Sequence, residues 1–274
     1  MQKISISIKP IFMKKLLLLV LSCFTLSNVN AQSDYKRFME SEKKGSSYST
    51  KEIKKAAKEY TELIYEEAKN GKVMEFRKSF LEKKLKKKEN FILDEYARRV
   101  QDFRMRRFKV ADNLPNLESQ VKADVRAEYS YEEDLFPTNV PGEAKSLAKT
   151  YELATNKAYD MARENLANEI VHEIMLQFIH KDFVKHFGAV KGQEMVQAIL
   201  DSKGGILDRI GDMEKVLELY NSKNTTSSEV IVKVYYNGIQ AKEDFKMALK
   251  EVLKNDDTLY NEMTYFLDTV KAKK

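Results

Sequence analysis

The residues best suited to metal or acid–base chemistry are three histidines and the glutamates near them. His172-Glu173 begins like the zinc-protease sequence H-E-x-x-H, but Leu176 stands where the second metal-binding histidine is required. Glu169 and His172 form one E-x-x-H pair, whereas a di-iron bundle needs two such pairs and two further glutamates on facing helices. We therefore expect these residues, together with His180, to lie on an exposed polar helix face rather than to bind a metal.

Two other pairs of residues could support a site. Asp182 and His186 lie one helical turn apart and could share a metal, but an ion pair or simple exposure explains the same spacing. Gly204-Gly205 could bind a phosphate at the start of a helix, yet it lacks both G-x-G-x-x-G spacing and a following Lys-Ser/Thr, which favours a flexible turn. Three histidines so close in sequence give no Ser-His-Asp arrangement. The sequence predicts a non-enzymatic protein with no catalytic residue, cofactor or metal.

A block of basic residues is the one feature that points to binding. Residues 72–109 contain 14 Lys and Arg against 6 Asp and Glu, whereas residues 110–169 contain 6 against 12. Such a block can bind an anionic membrane or cell-wall polymer, but pairing with the acidic Glu132, Glu133 and Asp134 is the favoured interpretation. Nucleic acid is not expected, because no recognised motif is present and export removes the usual target. The candidate binding residues are Lys83, Lys84, Lys86, Lys87, Lys88, Arg98, Arg99, Arg104, Arg106 and Arg107.

The beginning of the chain has the pattern of an export signal. Met13-Lys14-Lys15 leads into an apolar run at residues 16–26, followed by the small residues Val29 and Ala31. We expect translation to start at Met13, signal peptidase to cut after Ala31, and the protein to reach the periplasm or the outer membrane. Lipidation at Cys23 is the alternative. Cleavage after Ala31 leaves a mature chain without cysteine, which excludes disulfides and thiol catalysis.

The rest of the chain divides into three parts. Residues 32–48 are polar and are interpreted as a linker, residues 49–115 as a basic helical arm, and residues 116–274 as an α+β domain that ends in two helices. After residue 31 no apolar run approaches the roughly 20 residues of a membrane span. We therefore expect no transmembrane segment once the signal is removed.

The arm and the segment after it differ in the period of their apolar residues. Helical spacing predicts one helix over residues 49–70 and a second over residues 72–115, which crosses a polar tract at residues 86–90. Apolar and polar residues then alternate over residues 121–131, which favours a half-buried strand, although the alanines there leave a helix possible. A further strand is predicted over residues 142–147.

The segment from Leu147 to Phe187 predicts one long helix whose apolar face changes sides midway. At about 100° per residue, Ala154 and Ala158 share one face and Ile170 and Ile174 share the opposite one. We expect the first half to pack closely on a sheet through its alanines and the second half to pack on another layer.

The C-terminal third predicts a strand between helices. Residues 193–200 and 206–220 have helical patterns, residues 225–228 form a loop, and the β-branched run at 230–236 is the clearest strand of the chain. Two further helices are predicted over residues 242–254 and 258–270, at the end of the chain. The sequence therefore predicts an α+β fold, mainly helical, with a small antiparallel sheet packed against a long central helix.

One further pattern is the order in which several residues follow one another. These residues are Pro137, Gly142-Glu143-Ala144, Ala154, Ala158, Ala162–Ala167 and, some sixty residues later, the strand Val230–Tyr236. Their order resembles the Lpp-twenty (twenty-kilodalton lipoprotein) family of bacterial envelope proteins. The resemblance covers roughly residues 120–253, and the exit of the export segment is similar to signals common in Bacteroidota. It implies an α+β domain, a cell-envelope location with envelope proteins as partners, and no catalytic residues. Members are often lipidated, whereas Cys23 is a poor lipidation site.

Overall fold

The computed structural model describes residue 51, residues 71–224 and residues 227–269. The predicted export segment and linker lie outside these residues, and so does the predicted helix over 49–70 apart from Lys51. The described residues from 71 onward belong to one compact unit.

Helices dominate this unit, and none of those described is long and apolar enough to cross a membrane. The three strands form one antiparallel sheet, which confirms the predicted α+β class. The elements are α1 (residues 71–82), α2 (Leu85–Met105), α3 (Leu117–Glu128), β1 (Asn139–Ala148), α4 (Tyr151–His180), α5 (Phe183–Phe187), α6 (Ala189–Asp201), α7 (Lys203–Arg209), β2 (Glu214–Asn224), β3 (Ser227–Asn237), α8 (Gly238–Val252) and α9 (Asp257–Thr269).

The sheet has β3 at its centre, in the order β1-β3-β2. Successive side chains of a strand point to opposite faces, so residues 230, 232, 234 and 236 share one face and residues 231, 233 and 235 share the other. All of these positions are buried. Helices must therefore cover β3 on both faces, which explains its continuous run of β-branched and aromatic residues.

One face of the sheet packs against α4 at very short range. Gly142 of β1 pairs with Val234, and a Cβ added at Gly142 would lie 2.3 Å from the backbone oxygen of Ala162 and 2.7 Å from the Cβ of Leu166. Ala154 and Ala158 of the same helix are fully buried. Small residues on both elements therefore allow the predicted close approach of helix and sheet.

The other face of the sheet is covered by α1, α2 and α3. Their apolar side chains form one cluster with β2 and β3, so the basic segment contributes to the core as well as to the surface. The buried members of this cluster are Phe80, Ile92, Val100, Phe108, Val121, Val125, Leu217, Leu219 and Ile231.

The central helix α4 is shorter than predicted but has the predicted change of face. Thr150 caps it by accepting a hydrogen bond from the Leu153 backbone N–H, while Leu147 belongs to β1. Buried residues recur every four positions from Ala154 to Phe178. Because four residues turn a helix by about 400°, this stripe winds around the helix axis and reaches the opposite side in the second half. Both halves are consequently buried.

Three predictions of secondary structure were wrong. Residues 121–131 form no strand, because α3 occupies Leu117–Glu128 and Asn116 caps it at the Ser119 N–H. Residues 214–220 belong to β2 rather than to a helix, since they pair with β3. The predicted 72–115 helix is broken at residues 83–84 and ends at Met105.

Predictions for the C-terminal third were mostly confirmed. The helices over 193–200, 242–254 and 258–270 correspond to α6, α8 and α9, and the strand over 230–236 lies within β3. Ser227 and Ser228 belong to β3 rather than to a loop. Gly204-Gly205 lies inside α7, not in a flexible turn, and a Cβ at Gly205 would meet the Ala248 Cβ at 2.9 Å.

Candidate binding surfaces

The ten predicted basic residues fall into three groups with different environments. Four arginines make ion pairs within the molecule, two lysines lie over aromatic rings, and three lysines are exposed without a partner among the described residues. Arg107 is exposed at a left-handed backbone position, with φ of 59°. The alternative of anionic binding treated the ten residues as one group, whereas the structure gives them different environments.

Arg99 holds α2 and α3 together. Its guanidinium lies 2.8 Å from Asp124 Oδ2 and 2.7 Å from Glu128 Oε1, and its Nε donates to Glu95 Oε1 at 2.8 Å. Lys233 of β3 reaches the same two α3 carboxylates, at 2.8 Å from Asp124 Oδ1 and 2.6 Å from Glu128 Oε2. These contacts make Arg99 part of the folded core rather than of a free binding surface.

Two carboxylates of this network, those of Glu128 and Glu95, are held in their charged form. Burial opposes ionisation of Glu128, but the hydrogen bond from Arg99 and the charge of Lys233 lower its pKa to about 2. The hydrogen bond from Arg98 is the main cause of the lowered pKa of Glu95, also about 2. Arg104 pairs with Glu118, and Arg106 lies 3.1 Å from Asp102. Four of the five candidate arginines, Arg98, Arg99, Arg104 and Arg106, therefore have internal partners.

The internal acidic partners are not the ones predicted. Arg99 and Arg104 pair with Glu118, Asp124 and Glu128 of α3. Asp134, which was expected to face the basic arm, pairs with Lys242 of α8 instead. The acidic segment thus neutralises Arg99 and Arg104, but through α3, which the sequence pattern favoured as a strand.

Lys83 and Lys88 lie against an aromatic cluster. Lys83 Nζ is 5.4 Å from the centroid of Phe91, 5.5 Å from that of Phe80 and 5.6 Å from that of Phe76. Lys88 Nζ is 5.7 Å from the centroid of Phe80. At these distances an ammonium group is attracted by the ring faces. Both lysines are half-buried and cover the rings at the break between α1 and α2.

The remaining lysines form what we call the lysine corner, namely Lys84, Leu85, Lys86 and Lys87. Lys84 has extended backbone angles, with ψ of 147°, which end α1 and start α2. The side chains of Lys84, Lys86 and Lys87 are exposed and make no hydrogen bond or ion pair with other described residues. Leu85, between them, is 74% exposed. An apolar side chain surrounded by unpaired cations therefore projects from this corner.

A cavity of about 530 Å³ lies between α1, α3, α4 and the start of β1. We call it the aromatic cleft and define it by Phe76, Phe91, Tyr129, Tyr131 and Glu169, which all line it. The rings pack against one another, with the centroids of Phe91 and Tyr129 4.9 Å apart at an interplanar angle of 87°. Burial raises the pKa of Tyr131 to about 12, so its hydroxyl stays protonated.

A buried ion pair closes one side of the aromatic cleft. Arg77 donates to Glu173 through two hydrogen bonds, Nη1 to Oε2 at 2.7 Å and Nη2 to Oε1 at 2.6 Å. Arg77 also donates to the Leu135 carbonyl at 3.1 Å, and its Cζ lies 5.0 Å from the Tyr131 ring centroid. Glu173 is only 2% exposed. The prediction that Glu173 lies on a solvated face was therefore wrong.

Glu169 lies one turn before Glu173 on α4 and is the carboxylate of the aromatic cleft that has no ion-pair partner within the described residues, although the charges of Arg77 and Lys233 act on it from farther away. It is half-buried and makes no hydrogen bond or ion pair with the described part of the chain. Burial, reinforced by the negative charge of Glu173, raises the pKa of Glu169. A half-buried carboxylate beside aromatic rings could accept a positively charged group, and the sequence pattern had placed it on a solvated face.

The three histidines lie apart in different environments. His172 is exposed, and His186 is exposed with its ring 5.5 Å from the Phe266 centroid. Burial and the neighbouring charges of Lys181 and Lys78 lower the pKa of His180. Over the residues that the structure describes, no group of three or more His, Cys, Asp or Glu side chains could hold a metal ion.

Comparison of the chain with protein-family models, with curated proteins and with solved structures gives no match. The candidate surfaces are therefore interpreted from their own geometry.

Proposed function

We propose that this chain is a non-enzymatic, exported cell-envelope protein that binds an anionic lipid surface through the lysine corner. The observation that carries the proposal is the exposed Leu85, flanked by three lysine ammonium groups without a partner among the described residues. A folded protein has no internal need for this combination, whereas the surface of an anionic membrane matches both parts of it.

The apolar side chain favours lipid over a polyanionic polymer. Lysine at an anionic membrane contributes about 1 kcal/mol per residue, and burial of a leucine side chain contributes about 1.5–3 kcal/mol. The lysine corner therefore supplies about 5 kcal/mol, which corresponds to a dissociation constant just below the millimolar range. Binding of this strength is reversible and is reinforced when a second contact or anchor is present.

Two features of the sequence support the envelope location. The export pattern of residues 13–31 directs the chain out of the cytoplasm, and the resemblance to the Lpp-twenty family points to the same compartment and to envelope proteins as further partners. A structural role in the envelope needs no chemistry beyond contacts with such partners.

The proposal is tested by co-sedimentation with vesicles of phosphatidylglycerol and phosphatidylcholine. We expect binding to the anionic vesicles that weakens with added salt, because exposed charges are screened over about 10 Å at 0.1 M. The triple variant Lys84→Gln, Lys86→Gln, Lys87→Gln should lose this binding. The matched control Lys157→Gln, Lys203→Gln, Lys250→Gln removes equal charge from exposed lysines elsewhere and should retain it.

Equal binding by the two triple variants would show that net charge, not the lysine corner, attracts the protein to membranes. Binding to soluble dextran sulfate but not to vesicles would identify a polymer rather than a lipid surface as the target. Either result would overturn the proposed role.

A further inference from the structure

We propose that the aromatic cleft binds a small organic ammonium ion, with the Glu169 carboxylate as the counter-ion and the rings of Phe76, Phe91, Tyr129 and Tyr131 as the wall. The cleft is separate from the lysine corner, so this inference does not depend on the proposed membrane role. Its volume, about 530 Å³, lies within the roughly 300–1,000 Å³ that small-molecule sites usually occupy.

The charges of the cleft favour a cation. Glu128, Glu169 and Glu173 all line it. Glu173 is neutralised by Arg77, and Glu128 is neutralised by Arg99 and Lys233. Glu169 is the one of these three carboxylates that makes no ion pair or side-chain hydrogen bond within the described part of the chain, although the more distant charges of His172, Arg77 and Lys233 act on it. A ligand with one positive charge would complete the pairing that the other two carboxylates already have.

The aromatic wall favours a cation of the organic type. These rings already attract positive groups, since Lys83 lies 5.4–5.6 Å from three ring centroids of the cluster and Arg77 lies 5.0 Å from that of Tyr131. Aromatic walls are a recurring solution for quaternary ammonium groups, which are weakly hydrated and lose little on leaving water. A primary ammonium group is more strongly hydrated and relies more on the carboxylate. A strongly hydrated metal ion would instead need several oxygen ligands.

Other classes of ligand fit less well. An anion would meet three glutamates, and the Arg77 guanidinium that could attract it is occupied by Glu173 and by the Leu135 carbonyl. A neutral ligand would leave Glu169 charged and unpaired within a partly desolvated cleft, which is unfavourable. Lys72 also lines the cleft but is exposed, so it can turn its charge toward solvent.

The test is titration of the full chain with benzyltrimethylammonium and benzylamine, with benzyl alcohol as the neutral probe of similar shape. We expect both cations to bind with dissociation constants below about 1 mM and benzyl alcohol to bind at least about tenfold more weakly. Titration calorimetry measures the affinity, and saturation-transfer NMR shows that the ring of the probe contacts the protein.

Two variants locate the site. Glu169→Gln should weaken binding of both cations by about tenfold or more, since it removes the counter-ion. Glu164→Gln is the matched control, because Glu164 is an exposed carboxylate on the same helix, and it should bind as the unmodified protein does. A thermal melt checks folding, and Glu169→Gln should melt no lower than the control because the carboxylate it replaces is unpaired.

Absence of cation binding below about 1 mM would overturn the inference, as would equal affinities for cation and alcohol or an unchanged affinity in Glu169→Gln. Vesicle binding by Glu169→Gln should be normal, and the triple variant of the lysine corner should bind the ammonium probes normally. The two proposals can therefore fail independently.

Discussion

Arg77 on α1 and Glu173 on α4 meet in a two-fold hydrogen-bonded ion pair, although 96 positions separate them in the chain. Both side chains are almost completely buried. The pair therefore fixes the basic segment to the central helix and forms one side of the aromatic cleft.

Replacing one partner of this pair should lower the free energy of unfolding far more than replacing both. Arg77→Met leaves the Glu173 carboxylate buried without a cation and should lower the free energy of unfolding by about 3–5 kcal/mol. The double variant Arg77→Met, Glu173→Leu removes both charges and should recover much of that loss. Urea denaturation measures all three proteins.

The control for this comparison is Arg126→Met. Arg126 forms a solvent-exposed pair with Glu89 at 3.5 Å, so its loss should cost no more than about 1 kcal/mol. If Arg77→Met were as mild as Arg126→Met, the buried pair would not be what holds α1 to α4.

The first half of α4 should not tolerate a charge toward the sheet. Ala158 is fully buried, so Ala158→Asp would place an unpaired carboxylate in the core. We expect this to cost several kcal/mol, a large share of the roughly 5–15 kcal/mol by which a domain is usually stable against unfolding. Asn156→Asp adds the same group at an exposed position of the same helix and should change stability by no more than about 0.5 kcal/mol. Thermal melts that show equal effects would mean that this half of α4 faces solvent.

Two glycines should respond in opposite ways to an added methyl group. Gly142→Ala forces a Cβ against the backbone of α4 and should destabilise the protein by about 1–3 kcal/mol. Gly204→Ala meets no atom within 4 Å, lies in a helix and should stabilise it by up to about 1 kcal/mol. Chemical denaturation of the two variants checks the sign of each change, and destabilisation by both would contradict the space found at Gly204.

Acid should weaken the Arg99 network. The pKa of Glu128 falls from an ordinary value of 4.5 to about 2 on folding. The contribution of its ionised carboxylate to the free energy of unfolding is therefore complete above about pH 4.5 and is lost as the pH falls toward 2. Glu128→Gln should therefore lower the unfolding free energy at pH 7 by about 1–3 kcal/mol and by progressively less in acid. A difference from the unmodified protein that stays constant from pH 7 to pH 2.5 would contradict this account.

The ionised carboxylate of Glu169 should have the opposite effect on stability and lower the free energy of unfolding. Because folding raises its pKa, the ionised carboxylate is unfavourable above its ordinary range, and Glu169→Gln should stabilise the protein at pH 7. That gain should disappear as the pH falls and the carboxyl becomes protonated in both folded and unfolded states. Urea denaturation at several pH values measures it, and destabilisation at pH 7 would indicate that Glu169 has a favourable partner.

Local signals in the sequence were sufficient for β3 and for much of α4. The β-branched run at Val230–Val234 fits a strand buried on both faces, and alanines at four-residue spacing fit a helix that approaches a sheet closely. The missed α3 also had a local signal, since Asn116 directly after Pro115 is a good helix cap. The alternation of apolar and polar residues over 121–131 favours a strand and obscures that signal.

Long-range contacts explain what the sequence did not reveal. Residues 214–220 form a strand because β3 pairs with them, and the side chain of Gln120 accepts from the Glu218 N–H at 2.7 Å. The burial of Glu173 depends in the same way on Arg77, far away in the chain. The pairing of Arg99 and Arg104 with the acidic segment follows from the position of α3, which no local pattern of charge indicates. The pairs of Arg98 with Glu95 and of Arg106 with Asp102, by contrast, have local helical spacing.

The central claim is that Leu85 enters the surface of an anionic membrane, and fluorescence at that position tests it most directly. In a chain that also carries Cys23→Ser, an environment-sensitive dye is attached at Leu85→Cys or, as the control, at Ile239→Cys, whose native side chain is 63% exposed. With phosphatidylglycerol vesicles, we expect the dye at position 85 to shift to shorter wavelength and to gain intensity, while the dye at position 239 stays unchanged. Unchanged emission at position 85, or equal shifts at both positions, would contradict binding through the lysine corner.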